Sequence, residues 1–273
     1  MIAEFASPDS EAALMALLAT KADPGLIAGG TDLLIASGNL PAAQVVVDLG
    51  RIPSFRQVKL AEDALFVGAG VTVAAIARDP LVARHCPVLG QAAVNFGSVQ
   101  IRNRATIGGN VANGSPAADL PPALVAARAE AVLRAPEGET SLPVADLLSR
   151  RPIVGRRQVI VGFRLPLGDG SGIGAFVKLG RRQEPTISCL TLAAAGPRGA
   201  LRLVAGAIGP APRRLAGAEA ALNAGADGFL PALEDDVLAA IPGRASAAYK
   251  SRAIRALGLD LLDRITKASE DAQ

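Results

Sequence analysis

The stretch that most limits what this chain can become runs Ser98-Val-Gln-Ile-Arg-Asn-Arg-Ala-Thr-Ile-Gly-Gly-Asn-Val-Ala-Asn-Gly-Ser-Pro116 and continues to Asp119. From Thr106 onward its side chains are small, with polar groups at Thr106, Asn110, Asn113, Ser115 and Asp119. Such a run builds little regular structure, so its backbone amides need partners from elsewhere. A long ordered loop inside a folded chain is usually there for function. Glycine and proline are dense throughout, 29 and 19 of 273 residues, which argues against a plain helical bundle.

On either side of this loop the pattern separates into three parts. Residues 1–54 alternate: a strand near Glu4-Phe5, a helix opened by Ser7-Pro8, and a strand over Leu26–Ala28. A short helix capped by Thr31 and stopped by Gly38 then leads to a strand over Val45–Asp48. That order implies a small parallel α/β unit. Residues 55–168 read as short strands at Val58–Leu60, Leu65–Gly68, Val132 and Val159–Leu165. Helices lie between them at Thr72–Ala77, Pro87–Phe96 and Asp119–Arg128. Gly168–Gly172 is the best linker. Residues 173–273 give strands at Ala175–Leu179, Ile187–Ala194 and Leu201–Ile208, then helices near Leu215–Asn223, Leu233–Ala240 and Ser246–Lys267. Strands followed by helices predict an α+β domain, a three-stranded antiparallel sheet under a helical bundle.

Composition excludes several chemistries. One histidine and two cysteines, Cys86 and Cys189, cannot furnish a His-rich metal site, an iron–sulfur cluster or a disulfide framework. Aromatics are 3% of residues, too few for the stacking platforms of single-stranded nucleic-acid binders. A net charge of +3 is too mild to imply nucleic acid or an anionic membrane. No apolar run is long enough to span a bilayer, and the N-terminus lacks a signal-peptide pattern, so the expectation is a soluble, cytoplasmic protein. Redox chemistry would need a bound organic cofactor. No residue presents itself as a general acid or base, and no metal ligands are assigned.

The other informative segment is Ile27-Ala-Gly-Gly-Thr-Asp-Leu33. A strand ends, two glycines turn, and a helix begins. Without Cβ atoms, Gly29 and Gly30 let a phosphate approach their amides, and a helix N-terminus favours anions. Read alone, the segment is an ordinary strand-to-helix turn. Paired with the second glycine pair, Gly108-Gly109, it suits the bracketing of one pyrophosphate, with Asp119 accepting from a ribose hydroxyl.

Together, Ala28-Gly-Gly-Thr-Asp-Leu33 and Ile101-Arg-Asn-Arg-Ala-Thr-Ile-Gly-Gly-Asn-Val-Ala-Asn-Gly-Ser-Pro-Ala-Ala-Asp-Leu120 closely resemble the FAD-binding medium subunit of molybdenum hydroxylases. This is the family of the flavin subunits of xanthine dehydrogenase and aerobic carbon-monoxide dehydrogenase. The resemblance extends through Val47–Pro53, Val161–Pro166, Ala175–Arg182 and Ala248-Tyr-Lys250. It implies a two-lobed FAD-binding fold followed by a C-terminal domain, FAD held non-covalently, and electron transfer as the activity. Molybdopterin would sit on a large partner subunit and the [2Fe-2S] clusters on a small one, with NAD, a quinone or oxygen as acceptor.

By position, Ile27, Ala28, Gly29, Gly30, Thr31 and Asp32 would line the cofactor with Thr106, Ile107, Gly108, Gly109 and Asn110. Ala112 and Asp119 complete that wall, and Ile160 and Val161 supply backbone contacts. Phe96 and Gly97 would meet the adenine, and Lys178 would lie near the flavin. One departure is Gln183-Glu-Pro-Thr-Ile-Ser188, which carries none of the aromatic residues relatives often have there. This predicts a flavin face that is more open or covered by a partner. The competing expectation is a non-catalytic nucleotide-binding or scaffold protein that keeps the fold without flavin.

Overall fold

The computed structural model describes residues 4–21, 23–35, 45–167, 172–180 and 187–270. Three sheets organise them. The first joins β1 (Glu4–Ala6), β2 (Gly25–Ile27) and β3 (Val45–Asp48) in the order β1-β3-β2, both pairings parallel, with α1 (Glu11–Thr20) crossing between β1 and β2. Ser10, rather than Ser7, caps α1 by accepting from the Ala13 N–H, so Pro8 precedes the helix. The helix expected from Thr31 is absent: residues 31–35 form turns, with Leu34 N–H bonded to Gly30 O. Gly38, its expected stop, lies outside the described residues.

The second sheet is antiparallel, in the order β4-β5-β8-β6-β7. It contains β4 (Val58–Leu60), β5 (Ala64–Gly68), β6 (Glu130–Ala135), β7 (Gly138–Pro143) and β8 (Val159–Pro166). Between β5 and β6 run six short helices: α2 (Val73–Ile76), α3 (Pro80–His85), α4 (Pro87–Val94), α5 (Val99–Arg104), α6 (Ile107–Asn113) and α7 (Leu120–Ala126). Helix α8 (Val144–Leu148) follows β7. The stretch expected to lack regular structure therefore holds α5 and α6, each opened by a hydroxyl cap, Ser98 and Thr106. Local capping outweighs the low helix propensity of glycine and asparagine there.

Both faces of this sheet are buried. Ala131, Leu133, Ile160, Phe163 and Leu165 face the helices, whereas Val132, Val159 and Val161 pack on Leu14, Leu18, Val47 and Phe55 of the N-terminal part. The register shift between Val132 and Leu133 lets Ile160 and Phe163 share a face although they are three apart.

The third sheet, in the order β12-β11-β10-β9, is antiparallel: β9 (Ile173–Gly180), β10 (Ser188–Gly196), β11 (Arg202–Gly206) and a two-residue edge, β12 (Arg213–Arg214), added to the three strands expected. Its faces alternate between two cores. Phe176, Ala193 and Val204 join the core of the second part, while Ala175, Val177, Leu192 and Leu203 pack beneath α9 (Ala216–Asn223), α10 (Phe229–Ala240) and α11 (Ala247–Glu270). That explains its nearly continuous apolar strands. Strand β9 is an edge whose backbone needs partners; Gln91 of α4 donates to Gly174 O (2.8 Å) and accepts from Phe176 N–H (3.0 Å). The Gly168 linker falls largely outside the described residues, and among them no helix is long and apolar enough to cross a membrane.

Candidate functional site

A cleft of about 650 Å³ opens where the β2 loop faces α5, α6 and the loop before α7, within the range of ligand pockets. Its walls include Ile27, Ala28, Gly29, Gly30, Thr31, Asp32, Phe96, Gly97, Thr106, Gly109, Asn110, Ala112 and Asp119. Two glycine-rich segments far apart in sequence thus meet at one cavity.

The four glycines do different jobs. A Cβ on Gly29 would lie 2.0 Å from Arg104 O, and one on Gly108 would lie 2.6 Å from Ala69 Cβ. These two let backbones approach, one joining the β2 loop to the end of α5 and the other seating α6 on the residue 68–72 turn. Gly30 takes φ +70°, the left-handed turn that sends the chain away from β2. Of the four, Gly109 has the least around it: a Cβ there would meet only the Thr106 hydroxyl that caps it, so its open side faces the cleft. The residue 68–72 turn is what fixes this loop: Val73 N–H reaches Ala105 O, Ile107 N–H reaches Val71 O (3.1 Å) and Gly108 N–H reaches Ala69 O (2.9 Å).

The first-turn amides of α6 are consequently already bonded inside the protein. The β2 loop differs. Among the described residues, the N–H groups of Gly29, Gly30, Thr31, Asp32 and Leu33 have no acceptor, and all five residues line the cleft. Since no helix starts at Thr31, what this loop presents to the cleft is a row of free amides and not a helix dipole. Opposite it, Asn110 Oδ1 is buried without a hydrogen-bond partner. A buried acceptor left unmade is costly, and in a cleft it marks where a ligand donor belongs.

Asp119, 6% exposed, closes one end. Its Oδ2 takes Lys178 Nζ at 2.7 Å and its Oδ1 takes the Ser188 hydroxyl; Lys178 also donates to Asn95 O at 3.0 Å. Burial pushes the Asp119 carboxyl above the usual carboxylate range, opposed by Lys178 and then Ser188. Lys178 stands behind Asp119 and not on the cleft wall. Ile107, Ile160 and Val161 are buried in the cores on the two faces of the second sheet, and Gly108 faces Ala69. Hence these and Lys178 shape the cleft from behind.

The sequence reading missed several lining residues, among them Leu26, Ile35, Ile101, Ala117, Ala118 and Ile187. Aliphatic residues carry no chemical signature that would single them out. Ser188 lay in the segment noted for lacking aromatics, and it is the residue that reaches Asp119. Gln183 to Thr186 are outside the described residues. Lys250 of α11, quoted above only as part of the resemblance, lies off the cleft wall but is tied to its loop. Its ammonium donates to Ala207 O, while Ala207, in left-handed backbone at φ +61°, donates its N–H to Pro116 O (3.1 Å) next to the cleft loop.

The profile of the FAD binding domain in molybdopterin dehydrogenase matches residues 2–168, more than half the chain and all of the cleft's loops as far as Asp119. The chain belongs to this family. It is an FAD-binding oxidoreductase subunit of the molybdenum hydroxylase family. Over 92% of its length and 89% of the relative's, it is 31% identical to the xanthine dehydrogenase FAD-binding subunit of Escherichia coli O157:H7. It is 35% identical to the nicotine 6-hydroxylase medium subunit of Paenarthrobacter nicotinovorans, where the match covers 52% of this chain and about half, 51%, of that relative. Its fold superposes on a chain of carbon monoxide dehydrogenase from Hydrogenophaga pseudoflava with a TM-score of 0.84 at 26% identity, covering 97% of both chains. The two glycine loops that the sequence singled out therefore belong to a flavin-binding fold.

Proposed function

We propose that the FAD of this subunit lies in the cleft between the β2 loop and α6, and that the chain passes electrons within a multisubunit molybdenum hydroxylase or dehydrogenase. Molybdopterin would be held by a large partner subunit and [2Fe-2S] clusters by a small one, with NAD, a quinone or oxygen as the acceptor. The observation that carries the reading is the pairing, in one cavity, of five unbonded amides with a buried, unbonded Asn110 Oδ1. Amides suit a pyrophosphate, and an orphan acceptor suits a hydroxyl or ring N–H, so the residues fit the cofactor. Bound there, a flavin supplies hydride and single-electron chemistry. What the chain's own residues do is bind, orient and shield. The β2-loop amides hold the anionic portion, Phe96 and Gly97 add a wall of the cleft, and Asp119 with Lys178, which also donates to Asn95 O, sets the charge beside them. Residues 1–54 and 55–168 form the two lobes of this site, and 173–273 is a C-terminal domain that buttresses Asp119; the three sheets and their cores support this division.

Reconstitution of the purified chain with FAD tests the assignment. Wild type should retain the flavin through gel filtration. Gly109→Val, which fills the open side of the loop, should abolish retention, and Asn110→Ala should weaken it about 10-fold, the cost of one hydrogen bond in a dry site. Unchanged flavin affinity in both variants would place the cofactor elsewhere.

A further inference from the structure

We propose that Arg128, Arg202 and Arg214 form a binding site for a phosphate-type dianion, away from the cleft, where the start of β11 meets the C-terminus of α7. Two features set these arginines apart. First, α7 ends in a Schellman closure: Ala129 N–H bonds to Leu124 O (2.9 Å) and Arg128 N–H to Val125 O (3.2 Å). This places Arg128 in left-handed backbone at φ +56°. Glycine is the favoured residue at that position because a Cβ is strained there. An arginine is a poor choice for the backbone alone, and strain of this kind tends to be kept where the side chain serves function.

Second, Arg202 Nε is buried with no acceptor. Burial first, then the nearby charges of Arg214 and Arg128, hold the Arg202 pKa below its ordinary value, opposed by the charge of Glu219. One carboxylate, Glu219, stands among them, and both its oxygens are committed. Oε1 takes an Arg214 amino group, while Oε2 takes Arg214 Nε (2.8 Å) and Leu203 N–H (2.9 Å). Among the described residues, Arg128 and Arg202 enter no salt bridge. Two guanidinium groups outside any salt bridge remain, that of Arg128 and that of Arg202 with its buried, unpartnered Nε–H, a donor set that matches a doubly charged tetrahedral oxyanion.

The cluster is unfavourable without a ligand, which gives the test two signatures. The full-length protein, kept in excess FAD, is titrated with inorganic phosphate at constant pH and ionic strength while its thermal midpoint is read, with acetate as the matched control. A saturable upward shift of a few degrees is expected with phosphate only. Arg128→Gly, which relieves the backbone, should raise the phosphate-free midpoint by about 2–4 °C and blunt the phosphate response. Arg202→Met, which removes the unpaired donor, should abolish that response without lowering the phosphate-free midpoint. No saturable shift, an equal shift with acetate, or an unaltered phosphate response in both variants overturns the proposal.

Discussion

Asp119 and Lys178 come from different sheets' neighbourhoods and meet with side chains 8% and 6% exposed. Breaking such a pair strands a charge in a dry site, whereas removing both partners does not. Asp119→Asn should therefore destabilise the protein by about 3 kcal/mol in urea unfolding, and adding Lys178→Met should recover most of the loss. Because burial raises the Asp119 carboxyl, the folded chain holds this proton to higher pH than the unfolded chain. The stabilisation from that tighter proton is present below the unfolded carboxylate's range and is lost as pH rises through the raised folded value. Stability measured against the double variant should fall over that window. Gly29 gives a steric prediction: Gly29→Ala drives a methyl into Arg104 O, so stability and flavin retention should drop together. Gly172→Ala, with open space around it, should be silent.

At the scale of elements, the cleft is a contact between a turn and a capped helix, held by backbone bonds to the residue 68–72 turn. Its composition, two glycine pairs among small residues, was legible because close backbone approach requires it. That Gly29 and Gly108 serve packing, and Gly109 the open cavity, was not, because a glycine's neighbour is set by elements distant in sequence. The helix expected at Thr31 failed for a related reason: the positive φ of Gly30 bends the chain into turns before a helix can start. Lys250 links α11 to the loop at Pro116 through Ala207. Lys250→Met should weaken flavin retention severalfold while Lys250→Arg preserves it, read by flavin fluorescence on titration. Ala207→Gly should stabilise the fold by roughly 1 kcal/mol, because the left-handed backbone no longer carries a Cβ.

Across the whole molecule, the third sheet is shared. Phe176, Ala193 and Val204 complete the core beneath α4 and α7, while the opposite face packs on α9, α10 and α11. Gln91 further ties α4 to the β9 edge. A chain truncated after residue 167 should expose the apolar faces of α4 and α7 and aggregate, and the intact protein should unfold in one calorimetric transition. Separate transitions for the two parts would contradict the shared core.

The sequence by itself narrowed the chemistry available: too few histidines for a His-rich metal site, too few cysteines for an iron–sulfur cluster, and two glycine loops suited to a nucleotide. It also determined that a parallel α/β part comes first and an antiparallel sheet under helices comes last, since apolar periodicity and turn residues act locally. Only the tertiary structure decided which glycines serve close packing and which leaves open space on the cleft, that Asn110 Oδ1 is left without a partner, and that Asp119 answers to Lys178 and Ser188. Those are long-range juxtapositions, fixed when separate sheets pack and bury their shared faces, and no local pattern of residues encodes them one at a time.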